Sequence, residues 1–225
     1  MNYLTVDWPA PASVKALVTL RHTWQGKEAL ASLLQLPAKP IWIEQKHTHQ
    51  VVEALPENNG KIADAVFAST PNQVCVVTTA DCLPVLICNQ QGDQVAAIHA
   101  GWRGLAAGII EATLEKFTSS PENLFIWLGP AIGPQKFEVG EDVYAAFTDK
   151  HLASKAAFKF TQPGKWLADL YHLAKIRLQL RGINETQIYG GQFCTYSQED
   201  LFFSYRRDKS ILGHIASVIW LASNN

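Results

Sequence analysis

The stretch Val74–Gly104, VCVVTTADCLPVLICNQQGDQVAAIHAGWRG, decides the fold of this 225-residue chain. Val74–Thr79 and Pro84–Asn89 are short runs rich in β-branched and apolar side chains. Gln90–Asp93 has the composition of a hairpin turn, and Val95–His99 follows as another strand, so three consecutive strands are expected. Gly101 and Gly104 interrupt the pattern. Leu105–Phe117 then repeats apolar residues at helical spacing through Leu105, Ile109, Ala112 and Leu114. HAGWRG therefore falls at a strand-to-helix junction, where free backbone N–H groups favour anions.

Upstream, Leu17–Thr23 and Pro40–Lys46 show the partial alternation that predicts strands. Gln25–Leu36 predicts a short helix through Leu30, Leu33 and Leu34, ended by Pro37, and Pro56, Asn58, Asn59 and Gly60 mark a turn. Downstream, Leu124–Leu128 reads as a strand and Gly129–Pro134 as a loop. Glu141–Lys150 and Trp166–Arg181 read as helices, the second closed by Gly182, and Ile188–Tyr196, Leu201–Tyr205 and Ile211–Leu221 read as strands. Strands and helices mix without a strict βαβ repeat, and no Gly- or Ser-rich linker divides them. The expectation is one mixed α/β (α+β) domain over residues 1–225.

Composition narrows the function. With 48% hydrophobic and 17% charged residues the chain is an ordinary globular one, not a disordered one. Lys and Arg number 19 against 20 Asp and Glu, so no basic field speaks for nucleic-acid binding, and small or neutral partners are expected. Apolar runs such as Cys82–Cys88 and Leu105–Ile110 are far shorter than the ~20 residues of a membrane span, and Met1–Ala10 carries no signal-sequence pattern, which predicts a cytoplasmic protein without membrane contact. Four cysteines, Cys75, Cys82, Cys88 and Cys194, are too few for a disulfide framework and direct attention to thiol chemistry or metal binding.

Three segments hold candidate residues. KHTHQ presents His47 and His49 two apart, where strand alternation turns both to one face. TTADCLP places Asp81 and Cys82 between two apolar strands, and IHAGWRG ends a strand on His99 and follows it with Arg103. Each has a plain structural explanation, since isolated thiols are mostly buried and inert. Together, one cysteine and two or three histidines at strand ends are ligands suited to Zn²⁺, and three protein ligands leave the open position that marks a catalytic site. The same residues also read as a metal-free hydrolase or amidase, with Cys82 as nucleophile and His99 as base. FFSYRRD adds Arg206 and Arg207, which with Arg21 and Arg103 supply guanidinium groups for phosphate, and Phe202, Phe203 and Tyr205 are available to stack on a planar base.

The chain resembles the laccase-domain proteins, also called the multicopper polyphenol oxidase-like or purine nucleoside phosphorylase family. The resemblance rests on EQKHTHQVV (Glu44–Val52), ADAVFAST (Ala63–Thr70), TTADCLPVLICN (Thr78–Asn89), AAIHAGWRGLAAGII (Ala96–Ile110), LGPAIGPQKFEVGEDV (Leu128–Val143), FCTYSQEDLFFSYRRD (Phe193–Asp208) and GHIASVIWL (Gly213–Leu221). It implies β-sheets sandwiched between helical layers, and a zinc held by His47, Cys82 and His99. It also implies phosphorolysis of adenosine, inosine, guanosine and methylthioadenosine to base and ribose 1-phosphate, with adenosine deamination besides.

On this reading Cys82, Asp81 and Arg103 are catalytic, Asp81 as proton shuttle, while Arg21, Gln45, Arg206, Arg207 and Tyr205 bind phosphate or substrate. One His/Cys/His site is not a multicopper cluster. Three departures stand out: the segment His22–Glu44 is shorter than usual, Thr48 replaces a common glycine, and His214 replaces a common arginine. Some relatives are described as peptidoglycan editing factors, so a hydrolase acting on a cell-wall precursor and a non-catalytic binding module remain the rival expectations.

Overall fold

The computed structural model describes residues 3–210 and 213–223. Its strands are β1 (Tyr3–Thr5), β2 (Val14–Thr19), β3 (Val51–Glu53), β4 (Ala65–Ala68), β5 (Val74–Thr79), β6 (Leu83–Asn89), β7 (Val95–Ala100), β8 (Leu124–Leu128), β9 (Glu138–Gly140), β10 (Phe158–Gln162), β11 (Lys165–Ala168), β12 (Ile188–Gly190) and β13 (Ile215–Leu221). Helices are α1 (Leu30–Leu33), α2 (Trp102–Ala107), α3 (Ile109–Leu114), α4 (Glu141–Thr148), α5 (Leu170–Leu180) and α6 (Tyr205–Asp208). The strands form a four-stranded sheet β1-β2-β13-β5, a six-stranded sheet β12-β8-β6-β7-β4-β3 and a three-stranded sheet β10-β11-β9. The six-stranded sheet is antiparallel at its centre and parallel at both edges, where β12 joins β8 and β3 joins β4.

Side-chain alternation explains the layering, because successive strand residues point to opposite faces. In β6, Leu83, Val85 and Ile87 join the core under α2, α3 and α5, whereas Leu86 and Cys88 join Val18, Cys75, Val77 and Ile219 between the two larger sheets. Val74, Val76, Ala216 and Val218 turn outward from the four-stranded sheet and are covered by Leu30 and Leu34. At the centre of each large sheet both faces are thus covered, which is why β5, β6, β7, β8 and β13 are largely apolar runs. The mixed α/β architecture is the expected one. Among the described residues no helix is long and apolar enough to cross a membrane.

The central region differs from its reading in one consequential way. β5 belongs to the four-stranded sheet and β6 to the six-stranded one, so Ala80-Asp81-Cys82 is a crossing between layers rather than a turn within a sheet. The helix expected over Leu105–Phe117 is two, α2 and α3, broken at Gly108, whose φ of +98° caps α2 in the left-handed region.

Other boundaries also shift. Leu17–Thr23 holds only the end of β2, followed by a 3₁₀ turn at Arg21–Thr23. Pro40–Lys46 forms no strand, touching β5 at Ile41 and Ile62 at Glu44 through isolated bridges. Of the helix expected over Gln25–Leu36, one turn forms. Trp166–Ala168 lies in β11 of a hairpin turned at Gly164, and the helix begins after Asp169, whose carboxylate accepts the His172 N–H. Ile188–Tyr196 is strand only to Gly190, and Leu201–Tyr205 is turn leading into α6. In the last expected strand, positions 211 and 212 lie outside the described residues and β13 starts at Ile215.

Candidate functional site

His47, Cys82 and His99 converge from three segments. His99 is on β7, in the same pleat set as Val95 and Ala97, so it points into the space between the large sheets. Cys82 lies on the crossing from β5 to β6. His47 precedes β3 with a left-handed φ of +59°, a conformation costly for a residue with a Cβ. Their ligand atoms all lie within 4.8 Å of one another, and Cys82 Sγ is 3.7 Å from His47 Nε2. A thiolate and two imidazoles at this spacing can hold a metal ion.

Asp64 makes that arrangement possible, and the sequence reading assigned it no role. It is fully buried at the head of β4, and its Oδ1 accepts His99 Nδ1–H at 2.7 Å and the His47 N–H at 3.0 Å. Its Oδ2 accepts the Thr48 N–H and, at 2.8 Å, the Thr48 hydroxyl. Burial alone would raise the Asp64 carboxyl, but the hydrogen bonds from His99 and Thr48 overcome it and hold the group at about 2. An ionised carboxylate only accepts, so His99 must carry its proton on Nδ1 and leave Nε2 free as the ligand atom. The available signal was an aspartate wedged between Ala63 and Ala65-Val66-Phe67, since a carboxylate inside an apolar strand persists only with partners.

Without metal, the trio polarises itself. Burial pushes the Cys82 thiol up, but the His99 charge and hydrogen bonds from both histidines outweigh it and bring the group down to about 6. Burial opposes charge on His99 as well, yet the Cys82 thiolate and Asp64 raise it to about 9. Cys75 and Cys88 behave oppositely: buried among apolar side chains, both thiols are pushed up, Cys88 to about 12. All four cysteines are free.

The glycines of the junction are there for space. A Cβ on Gly101 would collide with His47 Cδ2 and stand 2.8 Å from His47 Nε2 and 3.0 Å from Cys82 Sγ; one on Gly104 would stand 2.9 Å from the Thr48 carbonyl oxygen. Gly101→Ala is therefore expected to weaken metal binding by about 10- to 100-fold with the fold retained. Equilibrium dialysis alongside circular dichroism checks this, and undiminished metal uptake would show that the ligands yield to a methyl group.

Around the trio lies a cavity of about 600 Å³, whose lining includes Gln45, Asp81, Arg103, Tyr205 and Arg206 together with Lys27, Glu44, Trp102, Ile132, Phe137 and His214. Arg103 stacks on Trp102 at 4.3 Å, and Arg206 lies over Phe137 at 5.4 Å while donating to the Glu138 carbonyl. His214 is held below the usual histidine value by burial, the Lys27 charge and the His99 charge.

Several expected roles do not fit this geometry. Asp81 sits at the cavity wall, but its Oδ1 accepts the Thr195 hydroxyl at 2.6 Å and its Oδ2 the Arg206 N–H at 2.7 Å, so both oxygens hold loops in place. Gln45 spends its amide on Thr78, donating to the carbonyl at 2.7 Å and accepting the N–H at 2.9 Å. Arg21 and Arg207 lie outside the cavity. Arg21 faces Phe203, Glu199 and Asp208. Arg207 donates to the carbonyls of Thr195, Tyr196 and Phe202 and pairs with Asp208 at 2.9 Å. Phe202 and Phe203 are core residues, leaving Tyr205 as the exposed ring of that segment. His49 is not in the trio.

Residues 22–222 match the family model described as multi-copper polyphenol oxidoreductase laccase. The chain is 50% identical over 202 residues to the purine nucleoside phosphorylase YfiH of Escherichia coli, covering 89% of this chain and 81% of that protein. It is 43% identical over 241 residues to the purine nucleoside phosphorylase PA4543 of Pseudomonas aeruginosa, covering 97% and 98%. Its fold is similar to that of the crystal structure of NMB0706 from Neisseria meningitidis, with a TM-score of 0.91 and 40% identity over 99% of this chain and all of that one.

Proposed function

This chain belongs to the multi-copper polyphenol oxidoreductase laccase family, and from that membership and the geometry of its cavity we propose that it is a zinc-dependent purine nucleoside phosphorylase. The observation that carries the proposal is that His47, Cys82 and His99 line one cavity with Arg103 and Arg206, neither arginine engaged in an ion pair among the described residues. Several coppers would require several ligand groups, and among the described residues this trio is the one group of its kind. A thiolate with two imidazoles and an ordered second layer suits a single Zn²⁺.

The proposed substrates are adenosine, inosine, guanosine and methylthioadenosine with inorganic phosphate, giving the free base and ribose 1-phosphate. Zinc, when bound, would supply a Lewis acid for a substrate or phosphate oxygen. Arg103 and Arg206 bind phosphate oxygens, and their rings beneath, Trp102 and Phe137, limit where the guanidinium groups can go. Tyr205 offers a face to the purine, Ile132 and Phe137 exclude water, and Asp64 fixes the His99 tautomer. Adenosine deamination is proposed as a second activity of this cavity. Both oxygens of Asp81 are already engaged, which argues against Asp81 as the proton carrier of that reaction. Four free cysteines support work in the reducing cytoplasm.

Product chromatography from adenosine, with and without phosphate, tests the proposal on metal-loaded protein. Adenine formed only when phosphate is present is the expected result, and inosine formed regardless of phosphate reports deamination. Neither product from loaded protein would remove the purine reading.

A further inference from the structure

Charge in the cavity is unbalanced. Lys27, Arg103 and Arg206 line it, and among the described residues none of the three makes an ion pair. The two lining carboxylates offer them nothing: Glu44 Oε1 is 2.7 Å from Lys46 Nζ, and Asp81 is held by Thr195 and the Arg206 N–H. A cavity with spare cations attracts an anion.

The cations also reach the cavity from different parts of the molecule. Trp102 and Phe137, beneath Arg103 and Arg206, belong to the core under the helices. Lys27 stands with its ammonium 5.0 Å from the ring centre of Trp42, and His214 meets the Trp24 ring edge-on at 5.8 Å. Trp24 and Trp42 pack on the core outside the four-stranded sheet. A lysine on a free surface swings through many rotamers, but one seated over an indole is confined and keeps its charge at the cavity mouth.

We infer that Lys27 and His214 form a phosphate-binding station separate from the Arg103–Arg206 pair, Lys27 supplying charge and His214 a ring N–H. The phosphate is either a second inorganic phosphate, distinct from the co-substrate held by the arginines, or the 5′-phosphate of a nucleotide substrate. The assignment rests on the reading of the cavity as a nucleoside site, and His22–Glu44 thereby gains a function that its sequence did not disclose.

Calorimetric titration of inorganic phosphate into the metal-loaded protein, its Lys27→Gln variant and its Lys27→Arg variant tests the station directly. A loss of about tenfold in affinity in Lys27→Gln, restored by Lys27→Arg, is expected if inorganic phosphate occupies it. Unchanged inorganic phosphate binding, with a preference for adenosine 5′-monophosphate over adenosine that disappears in Lys27→Gln, assigns the station to the ester. No change in either comparison overturns the inference. Failure of the wild-type protein to release adenine would remove the functional reading but leave the calorimetric result for inorganic phosphate interpretable. Lys27 is exposed, so metal content and melting temperature are expected to be the same in all three proteins.

Discussion

Replacing Asp64 by alanine is expected to lower stability by about 3 kcal/mol and to abolish metal retention together. The carboxylate is fully buried and satisfies His99 Nδ1, the backbone N–H groups of His47 and Thr48, and the Thr48 hydroxyl. Removing it leaves the buried His99 N–H and the half-buried donors of His47 and Thr48 without their acceptor. It also releases His47 from the left-handed backbone that the two N–H bonds help to hold. For a chain of this size such a loss corresponds to a fall of roughly 6–12 °C in melting temperature. Asp64→Asn separates the two effects. It keeps the volume, but its amide group turns a donor toward donors, so metal retention is expected to fail even where most of the fold survives. Calorimetric melting and elemental analysis of both variants check this; a variant that melts like wild type and keeps its metal would deny Asp64 its part.

Cys82→Ala is expected to lower metal affinity by a factor on the order of 10²–10³. Structural zinc sites are worth about 10–16 kcal/mol over four ligands, so one ligand carries roughly 3–4. Turnover is expected to vanish with the metal. The loss of turnover alone does not discriminate, because a metal-free Cys82–His99 dyad would lose it as well. Chelation of the wild-type protein does: removal of zinc is expected to abolish turnover and its return to restore it. Turnover that persists in chelated protein and responds to thiol alkylation would establish the dyad. The thiol brought down to about 6 beside His99 makes that dyad chemically sound, so the comparison is a real contest.

The parts of the fold legible in sequence were those where local pattern and burial agree. β5 and β8 are continuous apolar runs covered on both faces, and their limits match the reading. Segments that depend on partners were illegible. Pro40–Lys46 has strand composition, but its two bridges reach different neighbours and no ladder forms. Trp166–Ala168 has apolar spacing that serves a helix or a strand, and its pairing with β9 and β10 decided for the strand.

The same contrast holds in the site. His47, Cys82 and His99 are distinctive by residue type, but nothing local to Arg21 shows that Glu199 and Asp208 face it, and nothing local to Arg207 shows that the carbonyls of Thr195, Tyr196 and Phe202 accept its N–H groups. Asp64 was missed because its meaning lies in donors 16 to 35 residues away.

The crossing from β5 to β6 sets a limit on how relatives of this protein can vary in length. Thr79 ends one sheet, Leu83 begins the other, and between them Ala80-Asp81-Cys82 must span the layers and present the thiol. One inserted residue would rotate β6 by half a pleat period, exchanging Leu83, Val85 and Ile87 with Leu86 and Cys88 across the sheet and turning every partner of β7 and β8 to the wrong side. Insertions and deletions should therefore be purged from this joint by selection and accumulate instead in stretches such as Trp24–Pro40, where one helical turn and no sheet ladder record the chain's path.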